Sequence, residues 1–475
     1  MKNYRKNKSA LMAVLGFCAC NALAQNDITL DKAINLAWQN DPWHQGNRLK
    51  QQAIENMSIA SGQLDDPRVT VSMMNLPTDN WDLDKEGMTQ LKVGVSQMLP
   101  RGETLAIKKR QLKIKSTQYP LLAENRKAML KRQVSQIWLD AYLAQQSIAL
   151  IKTDWVLFEQ MAEVAKASYS NVIGKTRQHD VIRAQLEIVQ LEDKLAAEQQ
   201  ALEVNMARLN EWLQVYDDFA AFDSAAFDSA AFDMGSQPIQ YNVSKQLPAI
   251  KLINQSIFDQ SILDNPNYSI NALAAELFYH PAILVIDVKQ KVAEEDILLS
   301  KEQYRPQWGI NASYGLRDNM PNGDSRSDLV SLGVSFDLPI FTDNKQDKQV
   351  AAKVAASEAV KTEKLLLAKK MIAAVDKEFR QLKWLSQRQD IYQDKLLKQT
   401  HDQAEASLTA YTNDDGDFAE VVRARIAQLN ARISALKIDV EKLKTIVRIN
   451  YFFTRSSTQL KANQQFGTNL QYGDK

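Results

Sequence analysis

The chain has 475 residues, 45% hydrophobic and 24% charged, with 58 Lys+Arg against 57 Asp+Glu. A formal charge of +1 excludes the basic excess of a nucleic-acid binder, and the apolar content excludes a disordered chain. Only 15 Gly and 12 Pro leave long uninterrupted elements, while four His and two Cys leave little for a metal centre or a disulfide framework.

Residues 1–24 read as a secretory signal. Lys2, Arg5, Lys6 and Lys8 precede an apolar stretch from Ala10 to Ala19, and Ala22-Leu23-Ala24 supplies a small-x-small cleavage pattern. Both cysteines, Cys18 and Cys20, lie inside it. Lipidation at either is the rival reading, although their surroundings fit a bacterial lipobox poorly. No later window holds about 18 consecutive apolar residues, so the exported chain is expected either to be soluble outside the cytoplasm or to span a membrane as a β-barrel.

The mature sequence repeats itself. Pro42 and Pro281, Pro67 and Pro306, and Pro100 and Pro339 each stand 239 positions apart. Asp180-Val181-Ile182-Arg183-Ala184 and Glu420-Val421-Val422-Arg423-Ala424 stand 240 apart. A fixed offset held over more than a hundred residues marks a duplication. It predicts a first repeat over 25–214 and a second over 271–455. Between them lies an equatorial insert, 215–270, with near-tandem Ala-Ala-Phe-Asp-Ser copies at 220–233; a tail over 456–475 follows.

Each repeat reads alike. A helix starts near Pro42 or Pro281 and stops before Pro67 or Pro306, because the residue before proline resists the helical region. Strands are expected over 68–75 and 89–98, then over 307–316 and 329–338. Val93 and Val95 alternate with Lys92 and Ser96. Long helices are expected over 103–171 and 344–412, on the order of 100 Å each. Return helices follow over 179–213 and 418–450. In the last, Val422, Ile426, Leu429, Ile433, Leu436, Val440, Leu443 and Val447 form a heptad seam, and Ala424, Ala427, Ala431 and Ala435 form a second stripe. Two stripes suit a helix with neighbours on both sides; one buried face of a coiled-coil hairpin is the plainer alternative. Four strands cannot close a barrel, for which about eight is the minimum, whereas several copies sharing one barrel would remove the open edges.

These features resemble the TolC-like outer-membrane efflux proteins over about residues 28–453. The carriers are the Thr29-Leu30-Asp31-Lys32-Ala33 opening helix, the paired strand–Leu-Pro turns, and Ser170-Asn171-Val172-Ile173-Gly174-Lys175-Thr176 leading to Asp180. The resemblance implies a mainly α fold with a small β part: a homotrimer whose 12-stranded β-barrel continues into a 12-helix α-barrel. It implies a channel in the outer membrane of a Gram-negative cell, surrounded by lipid and projecting into the periplasm. A periplasmic adaptor would link it to an inner-membrane RND-type pump, with heavy-metal cations or drugs as exported substrates. Met73-Met74-Asn75-Leu76-Pro77 and Leu99-Pro100-Arg101-Gly102-Glu103 look closer to the heavy-metal branch. A soluble periplasmic coiled-coil adaptor or scaffold is the alternative.

By the same resemblance, Ser170, Gly174 and Thr176 at one helix tip, with Ala410, Asp415 and Gly416 at the other, are expected to dock the adaptor. Asp414 stands where the family has glycine. Asp180 and Glu420 are expected at the aperture, where like charges repel, and Arg423 at i,i+3 from Glu420 offers a clasp. Met73, Met74, Met88 and Met98 suggest strand fillers before a soft-metal ladder, and His44, His179, His280 and His401 suggest surface or helix-end positions. No nucleophile elbow, phosphate loop, zinc spacing or dinucleotide fingerprint appears, so neither an enzyme nor a cofactor or metal site is expected.

Overall fold

A computed structural model describes residues 26–79, 81–170, 178–214, 241–253, 270–413 and 415–457. The signal segment, Gly174, Thr176, Asp414, the 220–233 copies and nearly all of the tail lie outside them.

The first half runs β1 (Asn26–Ile28), α1 (Leu30–Gln39), α2 (Trp43–Ala60), β2 (Arg68–Met74), β3 (Gln90–Met98), α3 (Thr104–Ser116), α4 (Gln118–Ser170) and α5 (Gln178–Leu213). The strand β4 (Tyr241–Val243) follows. The second half runs α6 (Ile270–Leu277), α7 (Pro281–Lys301), β5 (Trp308–Leu316), β6 (Leu329–Phe336), α8 (Gln346–Ile391), α9 (Leu397–Thr412) and α10 (Phe418–Phe452). Described helices thus dominate a small sheet part. The strands fall within two residues of their expected ends, because proline and alternation both punctuate them.

The long helices are not continuous. The first breaks at Thr117 because Pro120, inside α4, has no N–H for the Ser116 carbonyl and its ring crowds that oxygen. Thr117 N–H instead reaches back to Ile114 O at 3.1 Å, a tighter turn. The second contains a π turn over Tyr392–Leu396. A π turn holds one residue more than an α turn, and the sequence offset rises from 239 to 240 across this stretch.

Near the sheet the helices neighbour in the order α2, α3, α7, α8. Farther away the order is α5, α4, α10, then α8 and α9. Here α10 packs on both sides, which rejects the one-faced hairpin. Val422, Leu429, Val440 and Val447 are buried along its heptad seam, and Ala424 and Ala431 are buried along its alanine stripe, although Ala427 is exposed. Charged pairs tie it to both neighbours. Lys444 reaches Asp140 of α4 at 2.8 Å, and Arg448 reaches the 8%-exposed Glu378 of α8 at 2.6 Å. On α5, the seam residue Glu198 is half-buried, which pushes its carboxyl above the usual range against the pull of Lys194.

Midway along the helices, β1 pairs with β4 in parallel, a junction absent from the sequence reading. Ile28, Leu30, Ala33, Ala37 and Val243 pack there on Trp138 of α4, whose indole N–H donates to Ile28 O at 3.0 Å. Two helix starts use one device. Asp41 Oδ1 accepts from Trp43 N–H, and His280 Nδ1 accepts from Ala282 N–H, both at 3.1 Å and both just before proline. Asp41 is paired with Arg126 at 2.8 Å. His280 is fully buried, and its other ring nitrogen donates to Tyr451 O at 3.1 Å. Accepting on Nδ1 and donating from Nε2 requires the neutral ring, and burial lowers its pKa to about 4.

A buried neutral imidazole makes stability depend on pH. The unfolded ring takes a proton below its ordinary value of 6.5 that the folded ring refuses until about 4. Its contribution is therefore present above pH 6.5 and is lost as pH falls toward 4, on the order of 3 kcal/mol. The His280→Asn variant keeps a capping acceptor that does not titrate. Its melting temperature should fall less than the wild type's between about pH 7 and about pH 4.5. Parallel falls in the two proteins would remove this role from His280.

Candidate functional site

Two regions carry the candidate residues: the sheet at one end of the molecule and the helix tips at the other.

The sheet has strand order β2-β3-β5-β6, antiparallel throughout. Its register sorts the side chains. Val69 faces Val95, Val95 faces Ala312, and Ala312 faces Leu332. Val71, Val93, Tyr314 and Val330 form the next row on the same face. Apart from Gln97, that whole face is apolar, with Trp308 against Phe336 at one end at 4.8 Å between ring centroids. The opposite face carries Thr70, Ser72, Lys92, Ser96, Asn311, Ser313, Ser331 and Ser335 with four glycines. The alternation is far clearer across four strands than along one. It also sends Met73 to the apolar face, while Met74 and Met98 share the other, so the methionines form no ladder.

No residue of these strands belongs to any of the helical cores among the described residues. Leu332 is 81% exposed and Val330 70%. A soluble antiparallel sheet buries its apolar face; this one leaves it uncovered. Among the described residues both edges are open as well, since β2 bonds only to β3, and β6 only to β5. Long loops close the far end of the sheet. Arg326 donates to the Asp84 and Glu86 carbonyls, at 2.9 and 3.2 Å, and Arg317 to Gly87 O at 2.7 Å. No described helix is long and apolar enough to cross a membrane.

At the tip, α9 reverses into α10. Asp415 N–H donates to Ala410 O at 2.9 Å, which brings two of the expected docking residues together. Gly416 completes the turn: a Cβ there would lie 2.6 Å from Tyr411 N and 2.9 Å from the Ala410 carbonyl carbon. Asp417 then caps α10 by accepting from Ala419 N–H at 3.2 Å. Tyr411 meets Phe418 edge-on at 5.6 Å between ring centroids and seats the turn on a core with Ile151, Phe158 and Leu191. The cap went unassigned above, although Asp417 precedes the apolar run and Glu420 follows it by three. The aromatic pair had no such signal.

Glu420 is exposed in the first turn of α10, and Arg423 is exposed beyond it. Among the described residues the two form no ion pair. Arg425 pairs with Glu405 of α9 at 2.9 Å and donates to Gln428 at 3.1 Å. On the other hairpin, Ser170 ends α4 and Asp180 lies in the first turn of α5. Among the described residues no three His, Asp or Glu side chains gather to hold a metal.

No sequence-family model and no curated protein matches the chain. Solved structures do. The outer-membrane channel OprN superposes with a TM-score of 0.68 at 13% identity, covering 90% of each chain. CusC, studied for folding and transmembrane channel formation, gives 0.69 at 13% identity over 90% of this chain and 93% of its own. The outer membrane protein VceC from Vibrio cholerae gives 0.68 at 11% identity over 90% of this chain and 96% of its own.

The chain has the TolC-like outer-membrane channel fold. Within it, the uncovered apolar face and the capped helix tip lie at opposite ends of one elongated scaffold.

The close approach at Gly416 gives a direct test of the tip. Gly416→Ala places a Cβ against backbone atoms and should cost about 1–3 kcal/mol locally. Limited trypsin digestion should then cut near Arg423 about fivefold faster or more. An unchanged cleavage rate would show that the turn tolerates a side chain there.

Proposed function

We propose that the chain is one subunit of an outer-membrane channel, and that three copies complete one pore. The observation that supports this most is the sheet, whose apolar face is uncovered and whose two edges are unpaired. Lipid suits the first, and a neighbouring copy on each side suits the second. Three four-stranded sheets give 12 strands, which is even and wide enough for a polar lumen lined by the serine and glycine face. Below it, three sets of four neighbouring helices give a 12-helix wall. Exposed Ile182, Leu186, Val189 and Val204 on the outer side of α5 suit contact with the next copy. On this reading the two halves descend from one duplicated helix–strand–strand–helix unit.

We further infer a passive duct in a tripartite efflux system. An inner-membrane pump would drive transport, and a periplasmic adaptor would engage the tips around Ser170, Gly174, Thr176, Ala410, Asp415 and Gly416. Heavy-metal cations or drugs are the proposed cargo. A soluble adaptor is disfavoured by the uncovered apolar face.

Two measurements test the reading. The protein should leave outer-membrane fractions only with detergent, and cross-linking should trap three copies. Release into aqueous buffer as a single copy would reject it. Asp180 and Glu420 are proposed to ring the aperture, so Asp180→Ala with Glu420→Ala should raise single-channel conductance in a planar bilayer. Unchanged conductance would remove both from the constriction.

A further inference from the structure

We propose that a cleft beneath the sheet binds the phosphoethanolamine headgroup of a membrane lipid. The inference rests on the membrane reading above.

The cleft measures about 620 Å3 and lies between the end of α7 and the start of α8, closed behind by Arg101. Its mouth lies just past the end of β6, where Leu338 and Ile340 are 62% and 70% exposed. Phe341 beside them is 89% exposed. This collar would sit where the hydrocarbon ends.

Just inside, the lining turns polar. Lys345 precedes the first turn of α8 and has no ion pair among the described residues. Lys353 is held only loosely, by Asp296 at 3.6 Å. These two ammonium groups suit a phosphodiester. Gln346 is only 7% exposed, lines the cleft, and has a buried Oε1 with no partner. Such an acceptor calls for a donor. Arg101 and Asp337 also line the cleft, but they satisfy each other.

Cations near the mouth with a carboxylate and an unpaired amide oxygen beside them match a phosphate followed by a primary ammonium. Choline has no N–H for Gln346, and a glycerol headgroup has no positive charge for Asp296. The acyl chains would follow Leu338, Ile340 and Phe341 into the bilayer. A neighbouring copy fits less well, because α7 and Arg101 lie inboard of the edge strand β6, on which a second sheet would add.

Native mass spectrometry of the full protein in mild detergent tests this. It would be titrated separately with palmitoyl-oleoyl phosphatidylethanolamine, phosphatidylcholine and phosphatidylglycerol. Phosphatidylethanolamine should be retained about tenfold more tightly than the others, at one per chain. Lys345→Gln with Lys353→Gln should weaken it by about tenfold or more. Gln346→Leu should erase the preference over phosphatidylcholine. Equal retention of all three lipids, or wild-type affinity in the double variant, overturns the proposal. So does a double variant that loses assembled mass while holding lipid as before, which gives the cleft to a neighbouring copy. A wild type that stays a single copy in aqueous buffer overturns the membrane reading with it; a detergent-extracted assembly without headgroup preference overturns this one alone.

Discussion

The molecule is organised around backbone groups that its own sheet leaves unpaired. Four antiparallel strands satisfy one another internally, but β2 and β6 each turn a row of N–H and C=O groups outward. In water such edges invite uncontrolled pairing, and in hydrocarbon they are not tolerated at all. One face of the same sheet is almost wholly apolar. The shared ring proposed above, with lipid outside, would meet both conditions, and four strands alone are too few to close one.

The helices obey the same requirement in another form. α10 is satisfied on both sides within the chain, its heptad seam and its alanine stripe each meeting a neighbour. The flanking helix α5 is satisfied on one side only, and its far side carries exposed aliphatic residues at helical spacing. The stitching between helices mixes apolar seams with ion pairs such as Arg448–Glu378, where removing one partner would strand a buried charge. Such pairs set which helices are neighbours more than they add stability.

Much of this was legible before any coordinates, and for identifiable reasons. Prolines at 67, 100, 306 and 339 bracket the strands, and a 3.5-residue repeat marks α10. The faults have equally local causes. Pro120 was overlooked inside a helical pattern, and it splits α3 from α4. The short parallel pair β1–β4 joins segments more than two hundred residues apart, which no periodicity announces. Pairing Arg423 with Glu420 followed helical spacing alone. The ion pair between α9 and α10 is instead Arg425 with Glu405, which approaches from a different helix. Contacts made across elements are where reading along the chain ends.

The glycines of the polar sheet face have a consequence of their own. A methyl group on Gly333 would meet Asn311 Oδ1 at 2.7 Å, and one on Gly309 would meet Ser335 Oγ at 2.6 Å. Over its central rows that face is therefore largely main chain and short side chains, with Lys92 the long exception. In the proposed channel, a passenger moving along this surface would find few chemical footholds. Discrimination among cargoes in that channel would then fall to whatever delivers them.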